Sequence, residues 1–428
     1  MTDVKPPAAA RGKSPLVVLF LVVVIDLIGF GIVLPLLPRY AAEYQASPFM
    51  TGLLMASFSA MQFFFAPFWG RLSDRRGRRP ILMVGLFGSV VSYTMFGLAD
   101  PLSRWLHGHV SALHDVLGMD QNAVQVYVLL ISRLAAGFFG ATIGAAQAYI
   151  ADVTKPEERG RGMALIGAAF GIGFTIGPAI GGISAGWHRY APGFIAAGLS
   201  LFAFVMAAFA LPEPQQHRAR AEKSLFDLTV LRSALATPTI PLILGLQFAA
   251  TFAFASFEST LSLLTQKQWH YDERHNGYVF TFIGFVLVLA QGGIVRRYMP
   301  KVGELRFVVA GCALMAIGLL GVAYAGGLGM LLAALAVAVL GFAMVTPSLS
   351  SLLSRRTPQE TQGEVLGVGQ SMLSLARIFG PIAGNLLFGV AWTLPQVVAA
   401  NLLLISFLGA LVLARLPAPE SASPPPSG

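Results

Sequence analysis

Apolar runs of about twenty residues recur along nearly the whole chain, separated by short polar connections. An α-helix needs about 20 residues to cross a hydrocarbon core of about 30 Å. The pattern predicts twelve such spans, at roughly 16–38, 51–69, 80–99, 124–150, 163–187, 191–212, 238–264, 276–295, 306–326, 328–353, 364–390 and 393–415. A closed β-barrel would show ten-residue alternating segments, and these runs do not alternate. The longest polar stretch, 213–237, divides the twelve into six and six. The expected layout is an N-terminal tail 1–15, a six-helix bundle 16–212, a linker 213–237, a second bundle 238–415 and a Pro/Ser-rich tail 416–428, whose composition predicts disorder. The first run follows Lys5, Arg11 and Lys13, as a signal peptide would. It continues past twenty residues to Pro38 without a convincing cleavage site and reads as the first span.

The two halves repeat. Thr154-Lys-Pro-Glu matches Thr357-Pro-Gln-Glu, Gly160 matches Gly363, Gly177-Pro178 matches Gly380-Pro381, and Gly181 matches Gly384, at a constant offset of 203. The loop Gly70–Pro80, GRLSDRRGRRP, has a fainter copy at Gly292–Arg297, at an offset of 222. The difference of 19 fits an insertion between spans 3 and 4. An all-α membrane protein with twelve transmembrane helices in two six-helix bundles, related by a pseudo-two-fold axis, is the fold class this implies. In secondary transporters so built, the substrate site lies at the repeat interface.

Composition sharpens the picture. The 428 residues are 55% hydrophobic and 11% charged, with 46 Gly, 26 Pro and a mean hydropathy of +0.70, far from an ordinary soluble domain. The formal charge of +9 raises the question of nucleic-acid binding, but position argues otherwise. Of 29 Lys and Arg, 22 fall at the N-terminus, in the even-to-odd connections and at the C-terminal end; five fall on the other side and Arg133 and Arg377 fall inside spans. By the positive-inside rule this places both termini and the Gly70–Pro80 loop in the cytoplasm, and the expected location is the cell (inner) membrane. The sole cysteine, Cys312, leaves no disulfide framework or paired-thiol metal site. Neither a metal nor a cofactor is expected, and no nucleic-acid partner.

Four charged residues lie within spans. Asp26 sits near the middle of span 1, where a charge costs about 3 kcal/mol on insertion scales and normally faces a cavity or a partner. Alternating exposure to the two sides would let it exchange protons; the other reading is a permanently ionised partner of an arginine. Arg133 lies in span 4, Glu258 in span 7 and Arg377 in span 11. Two acids and two bases form a charge-balanced set suited to a protonation-driven exchanger, and each can equally be a structural pair. Gln62, Gln147, Gln247, Gln291, Gln370 and Asn385, with Phe30, Phe63, Phe64 and Trp392, are candidates for lining a pocket for a bulky amphipathic ligand. Gly173, Gly177 and Gly181 put small residues every four positions on span 5, with Pro178 and Gly182 beside them, a pattern that lets helices approach closely. The insertion Asp100–Ala123 carries apolar residues at helical spacing, suggesting a short helix in the interface. It also holds His107, His109, His114 and Asp115, which suggest a metal or pH-sensing cluster or simply a histidine-rich polar face. His107 and His109, two apart, cannot share a helix face, which disfavours the metal reading. No Walker A, HExxH or GxSxG sequence occurs, which argues against an ATP-driven pump or an intramembrane hydrolase.

These motifs together resemble the major facilitator superfamily, and within it the twelve-span drug:proton antiporters. Gly70-Arg-Leu-Ser-Asp74-Arg75-Arg-Gly77-Arg78-Arg79 matches the superfamily signature between spans 2 and 3. Asp26…Gly29…Gly31-Ile-Val-Leu-Pro35 resembles the first-span motif of the antiporter branch, Arg133…Gly137 the span 4 motif associated with proton coupling, and Gly173…Gly177-Pro178…Gly181-Gly182 the span 5 motif. With Ala148-Tyr-Ile-Ala-Asp152 and Thr154…Glu158-Arg159, the chain looks most like the tetracycline efflux proteins. The resemblance implies rocking of two bundles, export driven by proton entry, and a cytoplasmic latch in which Asp74 caps a helix of the other bundle and Arg78 pairs with Asp152. One departure stands out: spans 8 and 9 lack the intramembrane acids and histidine of the tetracycline exporters, leaving Glu258 as the acid of the second half. The expected function is proton-coupled efflux of small amphipathic compounds by a protein working as a monomer. The alternative is a carrier for a metabolite such as a sugar, an organic acid or a siderophore. A membrane enzyme or a non-transporting sensor fits the motifs less well.

Overall fold

Lipid offers no partner for backbone N–H and C=O groups, so a chain this apolar satisfies them inside helices. The computed structural model describes residues 15–109, 119–154, 159–214, 239–357 and 362–416, and these residues are helical with short turns. The tail 1–14, most of the linker, the tail from 417, His114 and Asp115, and residues 155–158 of the span 4–5 connection lie outside the described residues.

Eleven helical stretches are long and apolar enough to cross a membrane: Pro15–Glu43, Pro48–Arg76, Arg78–Gly97, Gln121–Val153, Ala191–Ala210, Thr239–Trp269, Glu273–Val302, Glu304–Ala323, Leu328–Arg355, the part of span 11 from Val365 to Val390, and Leu394–Arg415. Arg159–Trp187, of 29 residues, is the twelfth, span 5. The observed spans overrun the predicted ones by several residues, because caps and polar ends prolong them beyond the apolar core. Ser47, Asp120 and Asp272 cap spans 2, 4 and 8, accepting from the backbone N–H groups of Met50, Ala123 and His275 at 3.2, 2.8 and 2.8 Å, the usual treatment of orphan donors at a helix start. The insertion begins with a helix at Ala99–His109 on the face away from the Gly70–Pro80 loop. Those two sides are called here the opposite face and the basic face.

Inside each half, span 1 packs on spans 5 and 6, and span 7 on spans 11 and 12. The halves meet through spans 5 and 8 and spans 2 and 11. Large side chains such as Phe87, Phe202, Phe209, Ile405 and Val412 point outward, as a lipid solvent requires.

The repeat is more exact in backbone than in sequence. Gln45 and His270, 225 residues apart, both take the left-handed conformation, at φ 57° and 55°, just before the caps Ser47 and Asp272. Spans 3 and 9 are both 20 residues long and start 226 residues apart, after Gly77 and Gly303, which both have positive φ. Spans 5 and 11 are both 29 residues, offset by 203. The expected counterpart of the basic loop therefore needs correction: Gly77 corresponds to Gly303, and the offset of 222 slips the register by four. Arginine and glycine identities misled, whereas the turn is fixed by a φ that favours glycine. The insertion between spans 3 and 4 becomes 23 residues. The step from 225 to 226 falls across span 8, where Ala290–Val295 is π-helical. One extra residue in a helix is absorbed in this way, often at functional sites.

Candidate functional site

Between the halves lies a cavity of about 300 Å³, within the usual size of small-molecule sites. Leu27, Phe30 and Leu34 reach it from span 1, and Met55, Phe58, Ser59 and Gln62 from span 2. Thr251, Phe254 and Glu258 reach it from span 7, Phe280, Ile283, Gly284, Leu287 and Gln291 from span 8, and Arg377 and Pro381 from span 11. Each set recurs at spacings of three and four, so each is one face of a helix. Each half also contributes an aromatic cluster. Phe30 packs against Phe58 at 4.5 Å and Phe174 at 5.8 Å, and Phe254 stacks on Phe342 at 3.9 Å with planes 11° apart.

The four intramembrane charges separate into two environments. Glu258 and Arg377 line the cavity itself, close enough for their charges to interact, and the Arg377 side chain is open to the space. Asp26 and Arg133 stand behind the wall in the first half. The Ser89 hydroxyl hydrogen-bonds the Asp26 carboxyl, whose Oδ1 is buried without a partner. Arg133 is 1% exposed, and none of its three guanidinium nitrogens has a hydrogen-bond partner. Its charge rests instead over the rings of Phe58 and Phe30, at 4.9 and 5.6 Å, a cation–π contact strengthened by desolvation. Tyr93 lies near enough to both to feel each charge.

Of the six polar candidates, Gln62 and Gln291 reach the cavity. Gln247 and Asn385 are buried and engaged in packing of the second half, through Ser350 at 3.3 Å and through Ser259 and the Pro381 carbonyl at 3.3 and 2.9 Å. Gln147 and Gln370 are exposed and are not among its lining residues. Phe30 lines the cavity, whereas Phe63, Phe64 and Trp392 do not. Phe58, Phe174, Phe254, Phe280 and Phe342 were not singled out from sequence. Stepping back four residues from Glu258 to Phe254, and seven to Thr251, would have found that wall.

The two faces differ sharply. On the opposite face, Arg39 of span 1 reaches across to Glu273 of span 8 at 3.1 Å and donates to the Tyr271 carbonyl at 2.7 Å. Backbones touch here as well: a Cβ on Gly182 would lie 2.6 Å from Gly277 Cα, and one on Gly52 2.6 Å from Ile382 Cα. The glycine pattern of span 5 serves two contacts. Gly173, Gly177 and Gly181 meet span 1 at Leu27, Gly31 and Ile32, while Gly182 meets span 8. Beside this seal, Asp100 gathers Arg104, Tyr190 and Gln125, the last at 2.5 Å. Burial pushes the Asp100 carboxyl up, but hydrogen bonds from Tyr190 and Arg104 outweigh it and hold its pKa below the ordinary aspartate value. Among the described residues no cluster of His, Cys, Asp or Glu could hold a metal ion.

On the basic face, Gly292, Gly293 and Gly367 meet nothing within 4 Å of where a Cβ would be. Arg78 is buried and binds Asp152 at 2.9 Å, Asp74 at 2.6 Å and the Ser73 hydroxyl at 2.7 Å. The resemblance's pairing of Arg78 with Asp152 is thus present in the geometry. Among the described residues the Asp74 side chain, 60% exposed, pairs with Arg78 of its own half, and the connection into span 11, residues 358–361, lies outside them. Glu213, which follows span 6 and was not anticipated, caps span 3, accepting from the N–H groups of Arg78 and Arg79 at 2.7 and 3.0 Å.

Sequence comparison decides the family. The profile of the Major Facilitator Superfamily matches residues 19–381 and 301–428. The chain belongs to the major facilitator superfamily. It is 26% identical over 366 residues to the class B tetracycline resistance protein of Escherichia coli, covering 84% of this chain and 85% of that one. It is 27% identical over 404 residues to multidrug resistance protein 2 of Bacillus subtilis (strain 168), covering 92% and 93%. The crystal structure of the human organic anion transporter MFSD10 (TETRAN) superposes with a TM-score of 0.68 at 25% identity, over 92% of this chain and 98% of that one. A twelve-helix, two-bundle superfamily member is a membrane transporter of small molecules rather than an enzyme.

Proposed function

We propose that this transporter is a proton-driven exporter of small amphipathic molecules, working as a monomer by alternating access, with the basic face and both termini in the cytoplasm of a cell whose inner membrane it spans. The observation that carries the proposal is one cavity between the halves, walled by two aromatic clusters, holding Glu258 and Arg377, and closed toward the opposite face by backbone contacts and the Arg39–Glu273 pair. An amphipathic ligand matches rings with a few polar groups. Asp26, partly unpaired beside the same cavity, is the proton carrier, with Arg133 setting its electrostatic surroundings. One proton crossing 100 mV releases about 2.3 kcal/mol, enough for a roughly 50-fold gradient. The tetracycline and multidrug resistance relatives support the direction of transport.

The test is pH-driven uptake into inverted vesicles, with a panel of amphipathic drugs. Asp26→Asn is expected to abolish uptake driven by the pH gradient while leaving equilibrium exchange of substrate. Uptake at the wild-type rate in that variant would remove Asp26 from the mechanism. A second reading, a carrier of organic acids, draws on Arg377 in the cavity and on the human organic anion transporter relative. The same panel extended with organic acids separates the two: accumulation confined to the acids favours the second.

A further inference from the structure

A second concavity, of about 950 Å³, is not between the bundles. It opens on the outer side of the first half, between spans 3 and 6 at the basic face. Arg75, Arg76 and Arg79 line its head together with Glu213, whose carboxylate is taken up by the first N–H groups of span 3, and Met83, Phe87 and Phe204 line its body. We propose that this groove binds an anionic phospholipid, with the phosphate held by the arginines and an acyl chain along the phenylalanines.

The groove has the dimensions of one leaflet. Arg79 and Phe87 are eight residues apart on one helix, about 12 Å at 1.5 Å per residue, and half a hydrocarbon core is about 15 Å. Its apolar floor faces outward: Phe87 is 55% exposed and stands 5.9 Å from Phe204. A soluble surface would not leave such a patch uncovered, and a lipid tail covers it. The head selects an anion. Arg79 donates to the Ala208 carbonyl, which fixes its guanidinium in the groove, while its Nε is buried without a partner. Arg76 is exposed at the rim. The start of span 3 is not itself the anion site, because Glu213 already accepts from its first N–H groups. Nor does the rest of the linker complement the groove in charge, since Arg218, Arg220, Lys223 and Arg232 outnumber Glu222 and Asp227 there. Basic side chains at a membrane surface favour anionic lipid by roughly 5-fold each.

The full-length protein is reconstituted in nanodiscs with equal phosphatidylglycerol and phosphatidylcholine of identical acyl chains, and the lipids retained are read by native mass spectrometry. Wild type is expected to retain phosphatidylglycerol preferentially. Arg76→Gln should lower the preference roughly 5-fold and the Arg76→Gln/Arg79→Gln pair roughly 25-fold. Arg296→Gln/Arg297→Gln, in the corresponding region of the second half, should leave it unchanged. Phe87→Ser should weaken retention of both lipids, and excess glycerol phosphate should displace neither. Equal retention of the two lipids by wild type would overturn the proposal. So would an equal loss in the second-half pair, which would indicate general surface charge, or displacement by glycerol phosphate, which would indicate a small-anion site.

Discussion

The opposite face and the basic face are built from the same repeated helices and hold the halves in opposite ways. On the opposite face spans 5 and 8, and 2 and 11, touch backbone to backbone, and Arg39 ties span 1 to Glu273. On the basic face polar contacts among the described residues tie each half to itself: Arg78 with Asp74 and Asp152 and Glu213 with the start of span 3 in the first, Glu304 with Arg355 and Ser351 in the second. A seal of glycines and one ion pair is short-ranged, so a few degrees of rocking dissolves it. The basic-face cluster is preassembled and can meet the second half without first being built. In the alternating-access cycle proposed above, this difference corresponds to a state closed at the opposite face.

The largest break in this comparison comes from the glycine contacts. Gly182→Val or Gly52→Val places atoms where backbone already lies, and overpacking costs about 1–3 kcal/mol. Each is expected to prevent closure of the opposite face and to cut transport by roughly 100-fold. Reactivity of an introduced cysteine at that face, measured with a membrane-impermeant reagent, should rise in the same variants; unchanged reactivity would mean that the seal does not depend on close approach.

The ion pair comes next. Arg39→Gln or Glu273→Gln loses a largely buried charge-assisted contact worth about 1–2 kcal/mol, a shift of roughly 5–30-fold toward an open opposite face. The swap Arg39→Glu/Glu273→Arg should recover much of it. If the double variant is no better than either single one in the same accessibility assay, the pair is not the tie.

Most of the fold was legible in the sequence, and the reason is physical. A bilayer forces long apolar helices, so twelve spans and a division after the sixth follow from hydropathy alone. The intramembrane charges Asp26, Arg133, Glu258 and Arg377 were visible because charge is costly there. Which of them share a space was not visible, because that depends on helix rotation. Glu258 and Arg377 face the cavity, whereas Arg133 is screened by Phe30 and Phe58. The amides Gln247 and Asn385 look like ligand-binding groups in sequence, but neighbouring helices use them first. The position of Gly303 and the extra residue in span 8 were hidden because a turn and a π segment are properties of backbone geometry.

Smaller effects sharpen the contrast further. Gly77 has φ 103°, and an added Cβ would lie 2.7 Å from Glu213 Oε1. Gly77→Ala is expected to destabilise the first half by about 1–3 kcal/mol, read as a lower thermal midpoint in detergent, with the Arg39–Glu273 seal unaffected. On the opposite face, the Asp100 pKa is depressed from the ordinary value of 3.8. Its contribution is therefore complete above that value and lost only as the pH falls through a lower one. Hydrogen exchange of the helix Ala99–His109, corrected for intrinsic rate, should not change between pH 8 and pH 5. Asp100→Asn should loosen it throughout that range; a loss of protection in wild type near pH 6 would contradict the assignment.

The most direct test of alternating access is a pair of distances in liposomes. One spin-label pair, at Phe49 and Arg274, spans the opposite face; the other, at Arg71 and Arg297, spans the basic face. Across changes of pH and added substrate, the two distances should move reciprocally, one lengthening as the other shortens. Distances that widen together, or a basic-face distance that stays fixed while the opposite face opens, would contradict the mechanism.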